Sequence, residues 1–216
     1  MAFQIDIRKI GPAIKQDLRN IVKILNPYTF SEFFKNMKEN SRRHMLIYML
    51  ILGTFTFIGY FLNLWKLVGL SGFWLAIRET LWGSEPACDI VSSFKSALLY
   101  YLTFIFTPFF AGHTFHFFSR GLIGRDVSRE EGVTLFAYIS TPLLISGIFR
   151  IISETRILHL ISAGISVYML YAAINSRYGF ERSFLAFGFM MIIVFILSML
   201  IFGILSAILS IPEMCY

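Results

Sequence analysis

The stretch "SFLAFGFMMIIVFILSMLIFGILSAILSIP", residues 183 to 212, is an apolar run that contains no Asp, Glu, Lys or Arg. A helix needs about 20 mainly apolar residues to cross the hydrocarbon core of a bilayer, so this run predicts a spanning helix. Four further uncharged windows cover residues 45–64, 96–118, 132–149 and 157–176. In lipid, backbone N–H and C=O groups are satisfied only within a helix or a closed β-barrel. The five windows lack the alternation of apolar and polar residues that barrel strands show, so all five predict helices.

The composition of the whole chain agrees with this prediction. Hydrophobic residues make up 56% of the sequence and charged residues 15%, against about a quarter charged in soluble domains. We therefore predict an all-α fold, a polytopic membrane bundle of five transmembrane helices at residues 44–216. A basic tail, residues 1–43, precedes the bundle.

The distribution of positive charge predicts the orientation of this bundle. The tail and the loops 119–131 and 177–182 lie on one side of a five-span chain and hold 14 of the 19 Lys and Arg residues. Since positive flanks stay in the cytoplasm, we expect the N-terminus inside and the C-terminus outside. Cys88 and Cys215 then share the outer side, where they either form a disulfide or remain free thiols. The Trp-rich segment 67–82 is expected on the outer surface, with a re-entrant dip as the alternative.

The basic tail predicts two short amphipathic helices that lie at the membrane interface. In "AIKQDLRNIVKIL", residues 13–25, the apolar face is expected to hold Ile14, Leu18, Ile21, Val22 and Leu25. Lys15, Arg19 and Lys23 fall on another face, as candidate ligands of anionic lipid. In the second helix, Thr29 and Glu32 predict a capping box, and Phe30, Phe33, Phe34 and Met37 an apolar stripe. The alternative is that the tail docks a partner protein; nucleic acid is not expected to bind.

Two windows share a local pattern around a proline, "FTPFFAGHTF" at residues 106–115 and "STPLLISGIF" at 140–149. Each proline removes one backbone donor inside a helix, so Thr107–Pro108 and Thr141–Pro142 predict two helices kinked at similar depth. The carbonyls of Phe104 and Tyr138 would then need other partners. The pattern is consistent with a plain packing kink or with the binding site of a transporter.

The two histidines of the second window, His113 and His116, lie on one helical face. They could supply two metal ligands, with Asp126, Glu130 and Glu131 as nearby additions, but hydrogen bonds between helices are the expected role. The sequence contains no catalytic motif. We expect no enzyme activity, no cofactor and no metal.

The segment "GRDVSREEGVTLFAYISTPLLISGIF", residues 124–149, resembles the Yip domain family, in which a cytoplasmic loop leads into a helix with a Tyr and then a Pro. Here these are Tyr138 and Pro142. The stretch "SVYMLYAAINSRYGFERS", residues 166–183, is similar to the family's fourth span and its exit. The resemblance implies five spans and a role in membrane organisation or vesicle trafficking through small GTPases and membrane proteins. The stretch "LNPYTFSEFF", residues 25–34, is similar to the entry segment of prokaryotic members, so we expect a prokaryotic cell membrane. The chain lacks the long polar N-terminal region of many eukaryotic members, which argues against a GTPase partner.

Two functional hypotheses follow from these observations. The first is a non-enzymatic multi-pass protein that organises a membrane or contacts other membrane proteins, or a second copy of itself, through the tail and the loop 119–131. The second is a small transporter or channel with its site at the two prolines, lined by Thr107, Thr141, His113, His116 and Tyr138.

Overall fold

A computed structural model describes residues 16–17, 19–26, 29–65, 90–151, 156–179 and 183–209. These residues are 90% helical and include no strand. Five stretches are long and apolar enough to span a membrane, which confirms the predicted fold class: Arg42–Asn63, Val91–Ile123, Arg129–Phe149, Ile157–Tyr178 and Phe184–Leu209. The predictions for Lys15, Cys88, Cys215 and the segment 67–82 fall outside the described residues.

The five spans are built from seven helical elements, and a short tail helix, Phe30–Lys35, comes before them. The first and second spans are the single helices Arg42–Trp65 and Ile90–Ile123. The third span combines Arg129–Ile139, Thr141–Ser146 and the 3₁₀ turn Gly147–Ile151. The fourth and fifth spans are Arg156–Tyr178 and Ser183–Leu209.

The third span forms the centre of the bundle. It packs against the first, second and fourth spans, and 72% of its apolar window is buried. The fifth span packs on the second and fourth spans from outside, and 0% of its window is buried. The most continuously apolar helix therefore lies at the periphery, as expected where lipid rather than water is the solvent.

Two backbone contacts bring the third span close to its neighbours. A Cβ atom on Gly132 would overlap the carbonyl oxygen of Gly112 in the second span. A Cβ atom on Gly147 would likewise overlap Thr56 of the first span. Small residues at such crossings allow membrane helices to approach backbone to backbone.

The two prolines lie in different helical contexts, and the predicted pair of kinks stays a prediction. The second span runs as one helix from Ile90 to Ile123 with Pro108 inside it. The third span is broken at Ser140, and Pro142 lies in the first turn of the helix that begins at Thr141. A first-turn residue needs no backbone donor, so Pro142 is compatible with the start of the helix Thr141–Ser146.

The tail contacts the bundle mainly through residues outside the apolar face that was predicted to meet the membrane. Asn20 and Ile24 are buried, whereas Val22 and Leu25 of the predicted apolar face are 68% and 50% exposed. In the second tail helix, Phe34 is buried as predicted, and so is Met37 just after it.

The predicted capping box is also wrong. The Thr29 side chain makes no capping bond, and its hydroxyl donates backwards to the Lys23 carbonyl at 2.8 Å. Threonine hydroxyls commonly bond nearby backbone groups in this way instead of capping a helix N-terminus.

Candidate functional site on the tail side of the bundle

The tail meets the bundle where the first span begins, where the second span turns into the third, and where the fourth span ends. We call this end the tail side. At the turn, Gly124 has φ 71°, a conformation that favours glycine. Ser128 then caps the third span, since its hydroxyl accepts from the Glu131 amide at 3.0 Å. The same hydroxyl donates to Glu39 Oε2 at 2.7 Å, which links the turn to the tail.

A buried ion pair joins three parts of the chain on the tail side. Arg177 Nε lies 2.5 Å from Glu131 Oε1, and the two side chains are 12% and 4% exposed. The Tyr178 hydroxyl donates to the same carboxylate oxygen at 2.9 Å. Arg177 Nη1 donates to the tail carbonyls of Phe34 at 3.1 Å and Met37 at 2.9 Å. One guanidinium thus links the third span, the fourth span and the tail, and its charge is matched by a carboxylate as burial requires.

A second ion pair nearby is exposed. Arg42 Nε lies 3.0 Å from Glu130 Oε1, with side chains 47% and 40% exposed. Exposed pairs contribute about 0 to 1 kcal/mol because water screens them. Of the two ion pairs, the buried one is therefore expected to contribute more to stability.

Polar side chains of the tail also reach Tyr138 of the third span. Its hydroxyl accepts from Asn20 Nδ2 at 2.9 Å and from Asn40 Nδ2 at 3.1 Å. The Asn40 backbone amide donates to Thr134 Oγ1 at 3.1 Å. The Tyr138 ring packs edge-on against Phe33. These contacts align the tail with the third span.

A cavity of about 540 Å³ opens between the tail and the third span, with Tyr138 in its lining. Its wall is rich in carboxamides, hydroxyls and charged groups. The lining residues are Gln16, Asn20, Lys23, Thr29, Glu32, Phe33, Asn36, Met37, Lys38, Asn40 and Tyr138.

Asp17 of the tail contacts the start of the first span. Its carboxylate lies 3.2 Å from His44 Nε2 at the start of the first span. Burial raises the pKa of Asp17, and the neighbouring His44 opposes that rise. The attachment of the tail is thereby coupled to the protonation of one carboxyl group.

The structure separates the predicted site residues into different environments. Tyr138 lines the cavity, and Thr141 bonds the Tyr48 hydroxyl at 2.7 Å. Pro142 is buried beside Thr141, and Pro108 is buried in the second span. Thr107 is also buried, and its hydroxyl has no hydrogen-bond partner within the described ranges. The predicted site residues are therefore not gathered around this cavity.

The two histidines do not act together. His116 Nδ1 donates to the Val127 carbonyl at 2.6 Å, and because a carbonyl only accepts, Nδ1 carries the proton. His113 packs edge-on against the Phe109 ring at 4.8 Å. Across the described part of the chain, no group of three or more His, Cys, Asp and Glu is placed to hold a metal ion.

The predicted lipid ligands Arg19 and Lys23 are both exposed, and Lys23 lines the cavity. The buried pair was not predicted, although the sequence carries a signal for it. Glu131 immediately precedes the third apolar window, and Arg177 immediately follows the fourth. In an antiparallel bundle these two ends lie on the same side of the membrane.

The comparison with known families bears on all of these contacts. The family model for the Yip1 domain matches residues 22–208. The chain belongs to the Yip1 domain family. This confirms the resemblance, and it makes the chain a family member with several candidate membrane spans. The Yip1 match begins within the tail and includes the cavity residues from Lys23 to Tyr138 and the pair Glu131–Arg177. No curated protein and no solved structure matches the chain significantly.

Proposed function

We propose that this Yip1 domain protein is a non-enzymatic component that organises a membrane or recruits other membrane proteins through its tail side. The observation that carries the proposal is the buried pair Glu131–Arg177. This pair holds the tail beside the loop between the second and third spans, so that the basic residues of the tail and those of the loop form one surface. We further propose that this surface faces the cytoplasm of a prokaryotic cell, because it gathers most of the positive charge.

The basic surface consists of exposed cations around that loop and the tail. They are Lys35, Arg43, Arg120, Arg125 and Arg129. Arg125 lies 5.9 Å from the Tyr178 ring centre, and Arg129 lies 5.8 Å from the Phe117 ring centre. Such contacts hold the guanidinium groups in place. A surface of this kind suits an acidic segment of another membrane protein or a second copy of this chain.

Photo-crosslinking in native membranes tests this proposal. A crosslinking side chain at Lys35 or Arg125 is expected to give discrete protein adducts. The matched control is the same side chain at Leu200 on the fifth span, which is 56% exposed and faces outward. Adducts at the two basic positions that disappear in Arg177→Gln would support the proposal. Lipid adducts alone at all three positions would contradict a protein partner.

A small transporter or channel is the second candidate, and Thr107 favours it. A buried hydroxyl without a partner in the described part of the chain can serve a passing polar solute or ion. Flux into liposomes separates the candidates. Transport that falls in the combined variant of Thr107→Val, Pro108→Ala, Thr141→Val and Pro142→Ala would favour the transporter. Unchanged flux for every solute tested would remove its support.

A further inference from the structure

We propose that the cavity between the tail and the third span binds the headgroup of one anionic phospholipid through its phosphate. Tyr138 supplies the central hydrogen bond, and Lys23 and Lys38 supply the charge. This site is distinct from the basic surface proposed to contact proteins, and either one can exist without the other.

The first argument is the hydrogen-bonding state of Tyr138. The side chain is 1% exposed and lines the cavity. Its oxygen accepts two N–H bonds, from Asn20 and Asn40. A phenolic oxygen has two lone pairs and one proton, so both acceptor positions are filled while the proton remains. With both amides oriented as donors, no described residue accepts that proton, which leaves it available to an acceptor inside the cavity.

The second argument is that the amides beside the hydroxyl are already oriented. Gln16 Nε2 donates to Asn20 Oδ1 at 3.2 Å, so the Asn20 carbonyl is satisfied and its amino group points to Tyr138. The hydroxyl is thereby held by donors, and its own proton is left for a ligand that only accepts. A phosphate oxygen is such a group.

The third argument is the charge of the wall. Among the described residues that line the cavity, Lys23 and Lys38 are basic and Glu32 is acidic. These described residues carry one more positive than negative charge. This balance favours an anionic ligand over a zwitterionic one, whose choline cation would meet the two ammonium groups.

The fourth argument is the depth of the cavity. The first span begins at Arg42, so Asn40 lies just outside the hydrocarbon core, where the lipid headgroups are. Asn40 bonds the Tyr138 hydroxyl directly, so the cavity reaches from this level to Tyr138 inside the third candidate span, Arg129–Phe149. A phosphate at this depth belongs to a membrane lipid more readily than to a soluble compound.

The test uses the full-length protein, purified in a neutral detergent and titrated with short-chain dioctanoyl phosphatidylglycerol. Native mass spectrometry gives the stoichiometry and calorimetry the affinity. We expect one saturable site that binds this lipid more tightly than dioctanoyl phosphatidylcholine. Tyr138→Phe should weaken binding about tenfold or more, the usual effect of losing a hydrogen bond to a charged group. Tyr48→Phe is the matched control, because its hydroxyl bonds Thr141 outside the cavity.

A second pair of variants keeps the test decisive if Tyr138→Phe folds poorly. Lys38→Gln should weaken binding by up to about fivefold. Lys35→Gln makes the same charge change on the neighbouring tail helix but outside the cavity lining, and it should leave binding unchanged.

Three results would overturn the proposal. Equal losses in Lys38→Gln and Lys35→Gln would show general surface attraction instead of a site. Equal affinities of Tyr138→Phe and wild type would remove the proposed hydrogen bond. If glycerol phosphate bound as tightly as the lipid, the site would be one for free phosphate compounds and the lipid assignment would be wrong.

Discussion

Replacing Arg177 with Gln should loosen the tail and destabilise the bundle. The change leaves the Glu131 carboxylate, 4% exposed, without its cation in a low-dielectric environment. Breaking a buried pair from one side costs about 3 to 5 kcal/mol. For a chain of this size, each kcal/mol lowers Tm by about 2 to 4 °C, so we expect a fall of about 10 °C in detergent. The tail also loses the two bonds to the Phe34 and Met37 carbonyls, so proteolysis within residues 29–41 should become faster.

Two further variants separate the charge effect from the attachment of the tail. Arg42→Gln removes the exposed pair with Glu130 and should cost less than about 1 kcal/mol. In Glu131→Gln/Arg177→Gln no charge is left buried, so Tm should recover in large part. The tail should nevertheless remain sensitive to protease, because its carbonyls still lack the guanidinium. If Arg177→Gln and Arg42→Gln had the same Tm and the same cleavage rate, the reasoning about the buried pair would be refuted.

Three other predictions concern helix packing, pH and topology. Gly112→Ala should lower the free energy of unfolding by about 1 to 3 kcal/mol, because its Cβ would overlap the Val133 backbone. Gly121→Ala, with no neighbour within 4 Å of its Cβ, should leave thermal stability unchanged or raise it slightly. The pKa of Asp17 is raised above its ordinary value of 3.8 in the folded chain. The contribution of Asp17 to tail attachment should therefore be strongest below pH 3.8 and weaken as the pH rises through the raised pKa. A spin label on the tail should report this change in the wild type and no such change in Asp17→Asn. In intact cells, an impermeant thiol reagent should label Cys88 and Cys215 from outside, directly or after reduction, and labelling of Cys88 alone after denaturation controls would contradict five spans with the N-terminus inside.

The number and order of the spans could be predicted from the sequence because each span needs a long apolar run, which is a local property. Span ends were less accurate: the second extends to Val91–Ile123 beyond the predicted 96–118, because Lys95 and Arg120 lie near its ends and interrupt the uncharged window. The contacts of the tail side were missed for a different reason. Glu131 and Arg177 are 46 positions apart, and only the packing of the third and fourth spans brings them together.

The tail shows the same limit of local pattern reading. Helical periodicity gives the correct secondary structure for residues 19–25, but the apolar face that it assigns to the membrane interface does not show which side chains contact the bundle. Asn20 is buried because the Tyr138 hydroxyl satisfies its amino group, and this compensation depends on a partner 118 positions away. Val22 and Leu25 remain exposed on the opposite face.

The central claim is that the tail is fastened to the turn between the second and third spans. Crosslinking between Glu39→Cys and Ser128→Cys in native membranes tests it most directly, in a background with Cys88 and Cys215 replaced by serine. The side chains of Glu39 and Ser128 are joined by a hydrogen bond of 2.7 Å. Because cysteine is shorter than glutamate, a short bifunctional thiol reagent replaces direct oxidation. Rapid and nearly complete crosslinking is expected, with a slower reaction in Arg177→Gln. No crosslink in the wild-type background, or the same rate with and without Arg177, would contradict the account.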